Sequence, residues 1–378
     1  MTRIVHIGPS TLPVGYSFGG AVERRMVELA AAQLQRGDDV LVVSLAPEGD
    51  EPRSTGAARS VPMLDVACRT RRPVRDIELL LRARSGIRKF APDVIHVHNS
   101  STAAVCLAGL PAPKVLTFDF FRYRGSEFPI VKAAHRRTLR SFDLLMPVSD
   151  FCAREAAEYW SFRLDDLRVL PNGVNVEQFS PDESRRVAAR LRYELNGQLV
   201  IGYVGRVCEQ KGSDTLAEAF RRVKEAHPDT ALLVAGPTDF FGQTRSTALT
   251  DHIKELGGRW LGAVPEDEVA DVFRSLDICA MPTREDEMFG MAAAEALSSG
   301  TPVVCSNLGG LPEVVPSSAG VLVQPGNAEA LAVELIALCD DRPALARLAA
   351  AAPGEARKFT WPAIAERAEE LYREVLDR

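Results

Sequence analysis

The sequence has no run of eighteen apolar residues and a mean hydropathy of −0.05, so nothing in it reads as a membrane-spanning helix. Cysteine is sparse. The seven residues Cys68, Cys106, Cys152, Cys208, Cys279, Cys305 and Cys339 stand singly with no C-x-x-C pair, which argues against a disulfide framework or structural zinc and for reduced thiols. There is no D-x-D, no G-x-S-x-G elbow and no Cys–His arrangement of a thiol enzyme. From Gly8 the next glycine is Gly15, so the G-x-G-x-x-G of dinucleotide enzymes fails. A strongly basic domain is also missing: the net charge is −6, which argues against nucleic-acid binding. Met1–Gly8 has the length of a first buried strand and no apolar region long enough for a signal peptide, so the expectation is a cytoplasmic protein.

What is present is a globular composition, 46% hydrophobic and 25% charged, on a chain of 378 residues, the length of two ordinary domains. Short β-branched runs alternate with helical patterns. In the first half the expected strands are Arg3–Gly8, Val40–Leu45, Val94–His98, Val115–Phe118 and Leu144–Val148, with helices such as Ala21–Gln35 and Ile77–Phe90 between them. Runs with so little polar alternation belong to parallel sheets covered on both faces. After the turn-rich Pro171-Asn172-Gly173-Val174 the rhythm restarts with Leu199–Val204, Ala231–Ala235, Trp260–Leu261, Ile278–Met281, Val303–Cys305 and Val321–Val323. The reading is two doubly wound Rossmann-like α/β domains, 1–180 and 181–360, with a cleft facing the carboxyl ends of both sheets. Residues 1–180 hold 24 Lys and Arg against 20 Asp and Glu, and the remainder 21 against 31, so the halves are suited to different partners.

The most informative stretch runs from Pro282 to Leu297. A strand ends at Met281, a loop carries Glu287, and a helix opens near Gly290, where free N–H groups suit a phosphate. Glu287 and Glu295 are eight residues apart; on a helix that is about 80° of rotation and roughly 12 Å of rise. Two carboxylates so spaced suit hydroxyls at the two ends of a nucleotide-sugar; the plainer alternative is a loop carboxylate and an exposed helix residue. Arg206 follows the strand Leu199–Val204, and Lys211 precedes a helix beginning near Ser213. A guanidinium and an ammonium converging there would hold a diphosphate and its developing charge, the alternative being two surface cations. The pair Gly19-Gly20 before the helix Ala21–Gln35 reads by itself as a turn.

Taken in order, several motifs resemble glycosyltransferase family 4. They are Gly19-Gly20-Ala21-Val22-Glu23, Pro171-Asn172-Gly173-Val174, Val204-Gly205-Arg206-Val207 with Lys211-Gly212, the Glu287/Glu295 pair around Phe289-Gly290, Ser299-Gly300-Thr301-Pro302-Val303-Val304, and Gly309-Gly310-Leu311-Pro312-Glu313. The resemblance spans most of the chain. It implies a GT-B fold whose last helix, about 361–378, returns to the first domain. It also implies retaining transfer of a hexose-type sugar, without metal or other cofactor, from a nucleotide-diphosphate donor (UDP foremost) to a small-molecule or glycan hydroxyl. By the same resemblance Glu287 holds the donor sugar, Glu295 the ribose, and Arg206 and Lys211 the diphosphate. The backbone at Met288, Phe289, Gly290 and Met291 faces the sugar or diphosphate, Gly262 and Val264 meet the base, and Gly19-Gly20 forms a lid. Two other readings on this scaffold are a nucleotide-sugar 2-epimerase and a non-catalytic nucleotide-sugar binder.

The acceptor side is less explicit. The resemblance implies a cleft histidine where this chain has Asp119, in Thr117-Phe118-Asp119-Phe120-Phe121, or, with the match shifted by one residue, Phe118 or Phe120; Asp119 either orients the acceptor hydroxyl and takes its proton or caps a turn. His96 and His98 share one strand face, as metal ligands do, yet such histidines more often end satisfied in a sheet or at a cleft border; no metal is expected. Two basic stretches stand out: Arg69, Arg71, Arg72, Arg75, Arg82, Arg84, Arg88 and Lys89, then Arg122, Arg124, Lys132, Arg136, Arg137 and Arg140. They read as solvated helix faces, as an anionic-acceptor site (His98, Arg122 and Arg124 being acceptor-side candidates), or as peripheral contact with an inner-membrane surface.

Overall fold

The computed structural model describes residues 1–15, 20–47, 57, 60–71, 74–119, 126–195, 197–238 and 247–378. They form two compact units: Met1–Gly173 with Trp361–Arg378, and Val174–Thr360.

The first unit is built on a six-stranded parallel sheet of β1 (Arg3–Ile7), β2 (Asp39–Leu45), β3 (Met63–Val66), β4 (Val94–His98), β5 (Lys114–Phe118) and β6 (Leu144–Pro147), in the order β3-β2-β1-β4-β5-β6. Parallel neighbours need crossovers, and the crossover helices cover both faces; β4 therefore buries all five of its residues. The apolar runs expected from the sequence are five of these strands. The sixth, β3, was not among them because Met63-Leu64-Asp65-Val66 is an edge strand with only Val66 buried and carries no apolar run.

The second unit repeats the plan with β7 (Leu199–Val204), β8 (Thr230–Ala235), β9 (Arg259–Trp260), β10 (Ile278–Met281), β11 (Val303–Ser306) and β12 (Gly320–Val323), in the order β12-β11-β10-β7-β8-β9. In each unit the chain winds outward one way and then the other, so a switch point lies between β1 and β4 and another between β7 and β10. The units divide after Gly173 rather than at residue 180. Residues ahead of 181 are claimed by Arg274, whose buried guanidinium donates to the carbonyls of Gln178 and, at 2.7 Å, of Ser180. Phe179 also meets Phe273 edge-on, with ring centroids 6.1 Å apart.

The helix Trp361–Leu376 belongs to the first unit. Its buried positions Ile364, Ala368, Leu371 and Val375 recur at helical spacing and join the same core as the helix Ala21–Gln35. A polar chain runs through this packing. Gln33 Nε2 donates to Tyr372 Oη at 3.1 Å, which leaves Gln33 Oε1 to accept from His6 Nε2 at 2.7 Å. With its proton on Nε2, neutral His6 accepts at Nδ1 from His98 Nε2 at 3.0 Å. Tyr372 Oη in turn donates to His96 Nδ1 at 2.7 Å, and His96 Nε2 to Thr117 Oγ1 at 2.6 Å. The potential ligand atoms of His6, His96 and His98 lie within 4.8 Å of one another, as a metal site requires. The His96 and His98 rings stack 4.1 Å apart with planes 20° apart. The trio is a hydrogen-bonded relay that ties the last helix to β1, β4 and β5.

All three imidazoles are completely buried. Desolvation lowers the pKa of His6 to about 4, against the opposing hydrogen bond that its Nε2 donates to Gln33. His96 and His98 are pushed down by burial first, then by neighbouring imidazoles and by Arg25. Unfolded histidine takes a proton near pH 6.5, whereas folded His6 does so only near 4. The stability held by neutral burial is therefore complete above about 6.5 and lost as pH falls towards 4, on the order of 3 kcal/mol for His6 alone. Thermal unfolding followed from pH 7.5 to 4.5 should show Tm falling steeply across this window, and His6→Gln should flatten part of the fall.

Candidate active site

In the second unit the loops after β7 and β10 flank the switch point. Past β7 the chain runs through Gly205 and Arg206 into a single 3₁₀ turn, Glu209–Lys211, and then the helix Ser213–Ala226. Past β10 it runs through Glu287 into the helix Met291–Ser298. The two loops are joined. The Arg284 amide donates to the Gln210 carbonyl at 2.9 Å, the Arg284 guanidinium pairs with Asp214 at 2.7 Å, and Lys211 Nζ pairs with Glu287 Oε1.

Glycine makes this approach possible. Gly212 has φ +73°, and a Cβ there would lie 1.8 Å from the Pro282 carbonyl oxygen. On the other side of Glu287, the Gly310 amide donates to the Glu287 carbonyl at 2.6 Å, and a Cβ on Gly309 would come within 2.4 Å of that oxygen. Arg206 is half-buried, and its carbonyl accepts from Tyr203 Oη at 2.8 Å. Burial first, and the Glu287 charge second, hold the Tyr203 hydroxyl well above the ordinary tyrosine range, so it serves here as a neutral donor.

The helix Met291–Ser298 starts at Gly290, with φ +103° and no capping side chain. Phe289 is buried and meets Phe359 edge-on at 5.1 Å, so a ligand would meet it through its backbone. Met288 and Met291 are half-buried. Glu295 is only 6% exposed, an unusual place for a carboxylate on a helix of alanines. The helical arithmetic linking Glu287 to Glu295 holds only from Met291 onward, because Glu287 stands in the loop. Gly262 follows β9 with φ +70° and accepts from the Gly236 amide at 2.7 Å, while Val264 beyond it is half-buried.

In the first unit Gly20 is the N-cap of the helix Ala21–Gln35 and has no side chain to cap it. Gly19, Arg122 and Arg124 lie outside the described residues, as does Arg72. His98 is buried inside the sheet, with Nδ1 lacking a hydrogen-bond partner. Asp119, at the carboxyl end of β5, keeps a quarter of its side chain exposed and is held from two sides. Asn99, left-handed at φ +50°, accepts from the Asp119 amide at 3.0 Å and donates from Nδ2 to Asp119 Oδ1. Arg25, almost fully buried, reaches Asp119 Oδ2 at 3.5 Å and Asn172 Oδ1 at 3.1 Å with the same Nη1.

Asn99 and Arg25 were not read from the sequence. An asparagine straight after a fully buried strand was a usable signal, since asparagine tolerates the left-handed conformation. Nothing in the sequence distinguishes Arg25 from Arg24. Several members of the basic stretches have structural partners: Arg84 donates to the Cys106 and Ala108 carbonyls, Arg136 to the Ser161 carbonyl, and Lys132 lies over the Tyr159 ring.

Two doubly wound units of like topology, the second with cations and carboxylates gathered at its switch point, define the GT-B architecture. The model described as Glycosyltransferase Family 4 matches residues 18–178, and that described as Glycosyl transferases group 1 matches residues 190–355. The chain belongs to glycosyltransferase family 4. It is 36% identical over 218 residues to a D-inositol 3-phosphate glycosyltransferase of Corynebacterium kroppenstedtii, covering 55% of this chain and 48% of that protein. The chain thus spans about half the length of that relative. To the phosphatidyl-myo-inositol mannosyltransferase of Mycobacterium leprae it is 28% identical over 96% of this chain and 95% of that one. Among solved structures, HepE of Anabaena in complex with UDP matches with a TM-score of 0.79 at 20% identity, covering 98% of this chain and all of that one.

Because a Cβ at Gly212 cannot coexist with the Pro282 carbonyl in place, Gly212→Ala should separate the two loops. Thermal unfolding should show a loss of about 1–3 kcal/mol, the usual range for overpacking, and nucleotide binding measured by calorimetry should weaken together with it.

Proposed function

We propose that this protein transfers a hexose-type sugar from a nucleoside-diphosphate donor, UDP foremost, to an acceptor hydroxyl, with retention of configuration and without a metal. The observation that carries the reading is the gathering of Arg206, Lys211 and Glu287 on two joined loops at one switch point. Lys211 and Arg206 bind the diphosphate, Glu287 takes hydroxyls of the sugar, and Glu295 those of the ribose. In the reaction the bond from the anomeric carbon to the phosphate oxygen breaks and the acceptor oxygen bonds to that carbon from the same face. The acceptor proton passes to the departing phosphate, or to a carboxylate. The cations act most strongly as charge grows on the leaving diphosphate. In the first unit Asp119, held by Asn99 and Arg25, orients the acceptor hydroxyl. The names of both relatives include inositol, so inositol phosphates and phosphatidylinositol are the first acceptors to try.

Incubation with UDP-, GDP- and ADP-sugars and these acceptors, followed by NMR of the products, tests the reading. The expected product keeps the donor's anomeric configuration and forms in the presence of EDTA. An epimerised donor formed without acceptor, or binding without turnover, would replace this reading. Lys211→Ala should lower kcat by about 10²- to 10³-fold, whereas a rise in KM alone would remove it from the chemistry.

We also propose that the first unit rests on an anionic lipid surface. On the helix Val74–Phe90, Val74, Ile77 and Leu81 are 54%, 42% and 52% exposed along one face, flanked by exposed Arg71, Arg82, Arg88 and Lys89. Phe128 and Ile130, at the start of the helix Pro129–Leu139, are 63% and 85% exposed, with Arg137 and Arg140 exposed on the same segment. Apolar side chains ringed by cations match an interfacial anchor. Among the described residues no helix is long and apolar enough to cross a membrane. Vesicles containing phosphatidylserine should co-sediment the protein at low salt and release it at high salt. Replacing Ile77, Leu81, Phe128 and Ile130 by serine should abolish binding; retention at wild-type level would rule out this face.

A further inference from the structure

We propose that Glu287 competes with the donor's diphosphate for Lys211, so that the site prefers a sugar-bearing donor to the bare nucleoside diphosphate and releases the latter after transfer. This rests on the donor reading above and assigns Glu287 a second task within it. The Lys211 charge is already paired, since its ammonium meets Glu287, both side chains being 23% exposed. Among the described residues each is the other's one hydrogen-bond or ion-pair partner through the side chain.

Neither backbone has room to withdraw. Lys211 is followed by Gly212, pressed against the Pro282 carbonyl, and Glu287 is held by the Gly310 amide and the close approach of Gly309. Any exchange of partners is therefore made by the side chains alone. A bare diphosphate must draw the ammonium from a carboxylate whose one side-chain partner among the described residues it is, and it brings a second anion beside that carboxylate. A donor with its sugar supplies hydroxyl protons to Glu287 and frees Lys211 for the phosphates, so sugar and diphosphate binding reinforce each other. Once the sugar has left, Glu287 recaptures Lys211 and the diphosphate is weakened.

Calorimetry decides it, using whichever of UDP, GDP and ADP wild type binds most tightly, together with its glucose or mannose conjugate. Glu287→Gln keeps the shape and removes the charge. It should bind the bare diphosphate about two- to fivefold more tightly than wild type, the range for a partly exposed ion pair, while binding the sugar conjugate less tightly. In a Lys211→Ala background the same substitution should change diphosphate affinity by much less. Unchanged or weaker diphosphate binding in Glu287→Gln, with an unchanged Tm, would overturn the proposal. So would a tightening that persists in full without Lys211, which is charge repulsion alone. If wild type binds no nucleoside diphosphate, the donor reading itself fails, a result separate from either of these.

Discussion

Three loop backbones in the second unit press together, those after β7 and β10 at Gly212 and Pro282 and those after β10 and β11 at Glu287 and Gly309-Gly310, and these contacts govern where the charged groups stand. Lysine and glutamate side chains are long and rotatable, and alone they would hold no fixed geometry. Their anchoring points are fixed because carbonyl oxygens occupy the space a Cβ would need. The amide-to-carbonyl bonds from Arg284 to Gln210 and from Gly310 to Glu287 then hold the loops in register. Cations and a carboxylate can sit this near each other on irregular backbone only because the backbone is so constrained.

Behind the loops stands the burial of the sheets. Parallel strands covered on both faces leave no solvated surface along their length, so polar side chains collect beyond the carboxyl ends, where the crossovers begin. Arg206, Glu287, Gly262 and Asp119 all follow the last residue of a strand. Among the exceptions are His6, His96 and His98, which lie within the strands and are fully buried. Their presence is tolerable because the donors and acceptors of Gln33, Tyr372 and Thr117 complete a chain through them, leaving His98 Nδ1 as its bare end. Since Tyr372 lies on the last helix and Gln33 on the first, the same relay fastens the end of the chain into the first core.

The excess of basic residues in the first half acquires two meanings in the structure. Arg84 and Arg136 are spent on backbone carbonyls, and Arg25 is buried against Asp119 and Asn172. Arg82, Arg88, Lys89, Arg137 and Arg140 remain exposed near apolar side chains that the core did not take up. Composition alone could not separate the buried cations from those that face outward.

Strand positions, the α/β class, the restart of the pattern near Val174 and the residues at strand ends could all be read from the sequence, because a doubly covered parallel sheet demands long apolar runs and its chemistry collects just beyond them. The family motifs around Gly205-Arg206, Glu287 and Gly309-Gly310 were legible for the same local reason: glycine marks places where backbones meet. What tertiary structure alone decided were pairings across the chain. Lys211 finds Glu287 because β7 and β10 are neighbours despite the 73 residues between the end of β7 and the start of β10, and Asp119 is held by an asparagine from β4's end and an arginine from the first helix. Edge strand β3 was hidden because edge burial is partial. The relay from Gln33 to Tyr372 was hidden because hydrogen bonds between residues 339 apart leave no period in a sequence. Local patterns follow from backbone geometry and burial; the partners of a side chain follow only from which strands the fold sets side by side.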